Sequence, residues 1–228
     1  MASDLTEKWD WCFGFRNATL HPRFENRNAR ARSEHTVNRI VNRIAPLEPP
    51  YPPAVAERLA LMVPPGAEPI GLFRTFVRNL PAATAMGSWG AYELGRNLSL
   101  TMRDREIVID RTCARCGCEY EWGVHVAFFA ERVALTAEEV RSLTAGSAAD
   151  PCWTETRDRL LVEAVDQLHD TSDIDEELRD RLAATFDAPQ LLDLLLLCGW
   201  YHAISFVARA ARVTLEDFAP RFADITSG

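Results

Sequence analysis

Lysine is almost missing from this chain: of its 25 basic side chains all but Lys8 are arginine, which removes Schiff-base chemistry by a core lysine from consideration. Positive charge as a whole is in deficit. A net charge of −8 argues against nucleic acid as the main partner, because phosphate binding needs a clustered cationic surface. Six cysteines (Cys12, Cys113, Cys116, Cys118, Cys152 and Cys198) in 228 residues are too few for a disulfide scaffold. A sustained alternation of apolar and polar residues is absent too, so strands are not expected. The longest apolar stretch, Leu191 to Ala208, is interrupted by Asp193, Gly199 and His202. It therefore reads as a buried helix and not as a membrane span, which wants roughly 20 uninterrupted apolar residues. The N-terminal Met-Ala-Ser-Asp-Leu-Thr-Glu-Lys carries no positive region followed by an apolar run, and cytoplasmic localisation is expected.

What is present is a globular balance of 47% hydrophobic and 25% charged residues, enough for one sizeable core. Residues 1–45 stand apart. They hold eight Lys or Arg against five Asp or Glu, a balance of +3 in a chain of net −8, and read as an N-terminal arm. The Leu47-Glu-Pro-Pro-Tyr-Pro-Pro53 segment ends it, because clustered prolines break helices. Residues 46–228 then form one domain of roughly eight to ten helices with short loops. Helix starts are predicted at Pro81, at the Thr136-Ala-Glu-Glu139 capping box, near Ser172 or Asp173, and at Asp187-Ala-Pro-Gln190, with proline in the first helical position.

A shift of 78 residues superimposes Trp122 on Trp200, Phe128 on Phe206, Ala130 on Ala208, Thr136 on Thr214 and Glu138 on Glu216. This suggests an internal two-fold repeat, whose second copy is a long helix followed by a short capped one. At that offset Cys118, Glu121 and His125 face Leu196, Gly199 and Ala203, so only the first copy carries polar chemistry.

That chemistry is concentrated between residues 103 and 143. Cys118, Glu121, Trp122 and His125 fall at i, i+3, i+4 and i+7, one stripe of a helix. His125 beside Glu121 can take and return a proton, the carboxylate setting its tautomer and raising its pKa. Glu106, on a preceding helix from Met102 to about Thr112, can orient His125; the alternative is a buried glutamate paired with Arg111 or Arg115. Cys118 is a thiolate candidate activated by His125, or a small buried side chain. Cys113 and Cys116 form a displaced Cys-x-x-Cys whose thiols could pair with Cys118, with Arg115 favouring a thiolate. Zinc bound by Cys113, Cys116, Cys118 and His125 is disfavoured by the compressed spacing, and no metal is expected. Trp122, with Tyr120, is expected in the core or a pocket wall.

The pattern Glu106, eleven residues, Cys118, two residues, Glu121, three residues, His125, followed by Ala134-Leu-Thr-Ala-Glu-Glu-Val140, resembles the carboxymuconolactone decarboxylase family, which includes the alkylhydroperoxidase D-like proteins. The resemblance implies an all-α multi-helix bundle, an oligomer such as a trimer or hexamer, and a site near subunit contacts. Peroxidase-type members look like Glu-x11-Cys-x2-Cys-x3-His. Here the second cysteine position holds Glu121, which cannot form a disulfide. Decarboxylase members resemble Tyr-Glu-x3-His, matched by Tyr120, Glu121 and His125. The resemblance thus implies a cofactor-free acid/base enzyme acting on a small carboxylated or lactone-like metabolite. Glu106, Cys118, Glu121 and His125 would be catalytic, and Arg111, Arg115 and Trp122 would bind substrate. The alternatives are a thiol peroxidase using Cys118 with Cys116 or Cys113, and a non-catalytic helical oligomer binding a ligand or partner. Neither nucleic acid nor membrane is expected as partner.

Overall fold

The structure, a computed structural model, describes residues 44–226. The N-terminal arm lies outside the described residues but for its last two. The described residues are helical and contain no strand: α1 (Pro53–Ala60), α2 (Gly71–Phe76) with a 3-10 turn (Val77–Asn79), α3 (Leu80–Glu93), α4 (Met102–Arg115), α5 (Glu119–Phe129), α6 (Ala137–Ala145), α7 (Thr156–Thr171), α8 (Glu176–Ala183), α9 (Ala188–Ala210) and α10 (Phe222–Thr226). The all-α expectation is met.

Local chemistry sets most boundaries. Asn79 caps α3 by accepting from Ala82 N, with Pro81 in the first turn, where its missing N–H costs nothing. Reciprocal capping boxes open α4 (Thr101 and Asp104), α6 (Thr136 and Glu139) and α9 (Asp187 and Gln190). In α9 proline is the second helical residue and not the first. The start near Ser172 or Asp173 is corrected. Ser172 ends α7 in the left-handed conformation (φ 59°), and Asp175 caps α8 through Leu178 N. Gly117, at φ 63°, makes the left-handed turn between α4 and α5.

Helix α4 is the hub, packing against α5, α6, α7 and α9. Its residues from Asp104 to Cys113 are all buried, although half of them are charged. Burying charge is tolerated where each group is paired. Asp104 takes both arms of Arg157 at 2.8 Å, and Arg103 reaches Asp158 and Glu139. Helix α9 is long and apolar enough to cross a membrane by length and composition. Here it packs on α4, α5 and α8, burying Leu194, Leu197, Tyr201 and Ile204.

The internal repeat is visible at one turn and fails at the next element. Ala134 and Arg212, 78 residues apart, both sit at φ 53°, and the amides after them close the same turn: Leu135 N to Ala130 O at 2.9 Å, Val213 N to Ala208 O at 3.0 Å. The short capped helix expected at Thr214 is absent. Pro220 would clash with the Glu216 carbonyl in such a helix. The Glu216 side chain is instead drawn away to Tyr120 Oη and Gly71 N.

Candidate functional site

The site is assembled where α4, α5 and α9 meet. Helix α4 supplies Glu106, fully buried, and α5 presents Glu121 and His125 one turn apart. His125 Nδ1 lies 2.8 Å from Glu106 Oε2, and its Nε2 lies 3.0 Å from Tyr201 Oη of α9 and 3.6 Å from Glu121 Oε1. The other Glu106 oxygen accepts from Arg105 Nε and Nη2, both at 2.6 Å. Arg105 is pinned in turn by the Leu94 carbonyl at 3.1 Å and lies over the Phe129 ring.

These contacts fix the protonation pattern. Burial alone pulls the His125 pKa down, but Glu106, then Glu121, outweigh it and raise the imidazole to about 10. Burial likewise pushes Glu106 upward, and the His125 and Arg105 charges overcome it, so Glu106 is held as a carboxylate. His125 is therefore an imidazolium at neutral pH, donating through Nδ1 to Glu106 and through Nε2 to Tyr201. One turn beyond Glu106, Asp110 is buried with Oδ1 unpartnered. Burial, then the Glu106 charge, pushes its pKa well above the usual carboxylate range.

Glu121, His125 and Tyr201 form the polar end of a cavity of about 130 Å³. Its other walls are mainly apolar, including Leu72, Phe73, Phe76, Met86, Phe128 and Trp200. Glu121 Oε2 is buried without a hydrogen-bond partner, an acceptor left for a ligand. Arg58 of α1 is the one arginine among the described lining residues, and its Nε is also unpartnered. It lies on the Cα face of Gly87, where a Cβ would fall inside the guanidinium, so glycine is what admits the arginine to the wall.

Several sequence-predicted residues are not brought to this cavity. Arg111 is buried against Asp166 in a bidentate pair (2.7 and 2.8 Å) and donates to the Ser142 and Leu143 carbonyls. Arg115 pairs with Asp166 and Asp170. Both arginines are consumed in joining α4 to α7, so neither is free to hold a substrate, and Glu106 pairs with Arg105 in place of either. Trp122 is fully buried against Phe222 of α10 and does not line the cavity. Tyr120 donates to Glu216 and accepts from Leu72 N, a structural link between α5 and α2.

Cys118 is the residue before α5 and is not exposed to solvent. Burial pushes its thiol up to about 11, and Cys113 goes well above the ordinary range for the same reason. Neither is an activated thiolate at neutral pH. With Cys116 they gather around the Ser205 hydroxyl, which is in hydrogen-bonding reach of all three. The cysteines at 113, 116, 118, 152 and 198 are free. The metal-type cluster among the described residues is Cys116 with His169 and His202, a set that the local spacing around Cys118 does not suggest.

Sequence reasoning missed Arg105, Asp110, Arg58 and Tyr201. Arg105 adjoins Glu106 and Asp110 follows it at i+4, so both were within reach of a local argument. Arg58 and Tyr201 arrive from distant helices and carry no local signal.

Residues 81–163 match the carboxymuconolactone decarboxylase family model. No curated protein matches the chain significantly. Among solved structures the chain is similar to an uncharacterized peroxidase-related protein from Silicibacter sp. TM1040, with a TM-score of 0.63 and 16% identity over 80% of this chain and 96% of that one. At that identity the likeness speaks for the fold.

Proposed function

We propose that this chain, whose residues 81–163 match the carboxymuconolactone decarboxylase family model, is an acid/base enzyme of that type that works through its own side chains on a small carboxylated or lactone-like metabolite. The observation that carries the reading is His125, held as an imidazolium between Glu106 and Tyr201 at the wall of an apolar cavity. At about 130 Å³ the cavity is well below the roughly 300–1,000 Å³ of pockets for drug-sized ligands, which favours a small substrate.

In the reaction the substrate carboxylate leaves as carbon dioxide, and its bonding electron pair stays on carbon. The His125 Nε2 proton, delivered directly or through Tyr201, replaces it. His125 recovers a proton from solvent by way of Glu121. Glu106 stays a carboxylate throughout, orienting the ring and stabilising its cation. Arg58 takes the anchoring role that Arg111 and Arg115 cannot, by binding a substrate oxygen anion. The apolar walls raise the energy of a carboxylate awaiting loss.

Proton transfer by a positioned group contributes typically 10²–10⁴-fold. Release of carbon dioxide from a panel of small carboxylated lactones should accordingly fall about 10²–10⁴-fold in Glu121→Gln/His125→Ala. Normal turnover by that double variant of a substrate the native protein accepts would overturn the proposal.

The thiol-peroxidase reading draws on the three cysteines around Ser205. It is disfavoured by their burial and raised pKa values. Loss of two thiols on stoichiometric hydroperoxide, with a Cys118 crosslink to Cys116 or Cys113, would restore it. A cytoplasmic homo-oligomer completes the proposal, with Leu192, Leu195, Leu196 and Phe206 on the outer face of α9 as the surface a second copy would cover.

A further inference from the structure

Three helices that are far apart in sequence bring a thiol and two imidazoles to one point outside the cavity. Cys116 ends α4, His169 lies in the last turn of α7, and His202 lies in the middle of α9. Their Sγ, Nδ1 and Nε2 atoms all fall within 4.8 Å of one another. His169 Nδ1 is 3.0 Å from His202 Nε2, and Cys116 Sγ is 3.9 Å from His169 Nδ1. A tetrahedral ion with metal–nitrogen bonds of about 2.0–2.1 Å and a metal–sulfur bond of about 2.3 Å spaces its ligands about 3.3 Å (N to N) and about 3.6 Å (S to N). The two His169 spacings differ from these by only a few tenths of an ångström, one too short and one too long, and Cys116 Sγ lies within 4.8 Å of the His202 ligand nitrogen. Small rotations of the three side chains would close the site.

The surroundings are also those of a ligand set. His202 Nδ1–H donates to the Cys198 carbonyl at 2.8 Å, the bond that fixes its tautomer and turns the Nε2 lone pair toward the cluster. Cys198 Sγ lies 3.7 Å from His202 Nδ1, on the far side of the ring, and is no fourth ligand. His169 and His202 are half-buried, which leaves a way in from solvent.

We infer that Cys116, His169 and His202 bind a divalent transition metal of the zinc type, with a fourth position open to water or an added ligand. One thiolate and two imidazoles suit a borderline ion such as Zn²⁺ better than a hard cation such as Mg²⁺. Binding releases the Cys116 proton to solvent and displaces the His169–His202 hydrogen bond. None of the three residues lines the acid/base cavity, so the inference stands apart from the proposed reaction.

The test uses the full chain stripped of metal by a chelator. Titration with Zn²⁺ should give one ion per chain. Co²⁺ should give a thiolate charge-transfer band together with intense tetrahedral d–d bands. Cys116→Ser should lose the charge-transfer band, and His169→Ala should weaken Zn²⁺ binding by at least about 100-fold, the upper end of what even outer-shell changes cost. Cys113→Ser should leave binding unchanged. Should His202→Ala fail to fold, His169→Ala still decides, because it sits in a half-exposed last turn. Zn²⁺ should raise the melting temperature of the native protein and leave that of His169→Ala unmoved. Co²⁺ bound without a thiolate band, Zn²⁺ affinity unchanged in His169→Ala, or no binding at all would overturn the inference.

Discussion

Glu106→Gln puts the central claim at risk, because it keeps the shape of the side chain and removes only the charge that makes His125 a cation. In the native protein the imidazole is raised from 6.5 to about 10 despite complete burial. That distance corresponds to roughly 5 kcal/mol of preference for the imidazolium, in line with the about 3–5 kcal/mol typically lost when one partner of a buried ion pair is removed. For a chain of this size each kcal/mol lowers the melting temperature by about 2–4 °C, so the variant should melt about 6–20 °C below the native protein at neutral pH. The sign with pH follows from linkage. A histidine whose folded pKa exceeds its unfolded value contributes its full stability below about pH 6.5 and loses it as the pH rises through about 10. Denaturant unfolding at fixed protomer concentration should therefore show native stability falling from neutral pH toward pH 10. The gap to Glu106→Gln should narrow over the same range. The imidazole resonances of His125 should titrate near 10 in the native protein and well below that in the variant, where Glu121 alone is left to oppose burial. A variant within about 1 kcal/mol of native stability, with His125 titrating where it did before, would refute the electrostatic account.

Three further outcomes follow from the same geometry. Arg58→Gln should leave the fold intact and lower kcat/KM by about 10–150-fold, the equivalent of losing one hydrogen bond to a charged group at about 1.5–3 kcal/mol; an unchanged kcat/KM would remove Arg58 from substrate binding. Cys118→Ser should leave acid/base turnover within a few-fold of native, and a collapse of activity in a folded variant would return the thiol to the mechanism. Gly123→Ala should cost about 1–3 kcal/mol by overpacking, because its Cβ would stand 2.7 Å from the Pro220 carbonyl and 3.2 Å from the Ala219 Cβ; equal or higher stability by calorimetry would show that the 219–220 turn yields freely.

How far the site was legible depended on how far each signal travels along the chain. The caps at Thr136 and Asp187 need only three following residues, and both were placed correctly. The contact between Glu106 and His125 was accessible because the motif sets the two residues on consecutive helices joined by the Gly117 turn. The stripe from Cys118 to His125 was too broad a reading. Neighbouring residues on a helix point about 100° apart, so Glu121 can face the cavity while Trp122 packs on Phe222.

The arginines show why a buried polar helix resists a reading from its own sequence. Arg111 lies five residues beyond Glu106, about 140° further around α4, and so belongs to the face against α7. There Asp166 and Asp170, themselves four residues apart, receive Arg111 and Arg115. The same helix thus offers Glu106 to His125 on one face and structural ion pairs to α7 on another. Composition gives no way to assign a charge to either face until the partner helix is known. The cation that does reach the cavity comes from α1, and its entry depends on the missing side chain of Gly87 in α3. An arginine licensed by a glycine 29 residues away leaves no periodic trace. Such pairs are where tertiary packing, and not local pattern, decides which charges are left for chemistry.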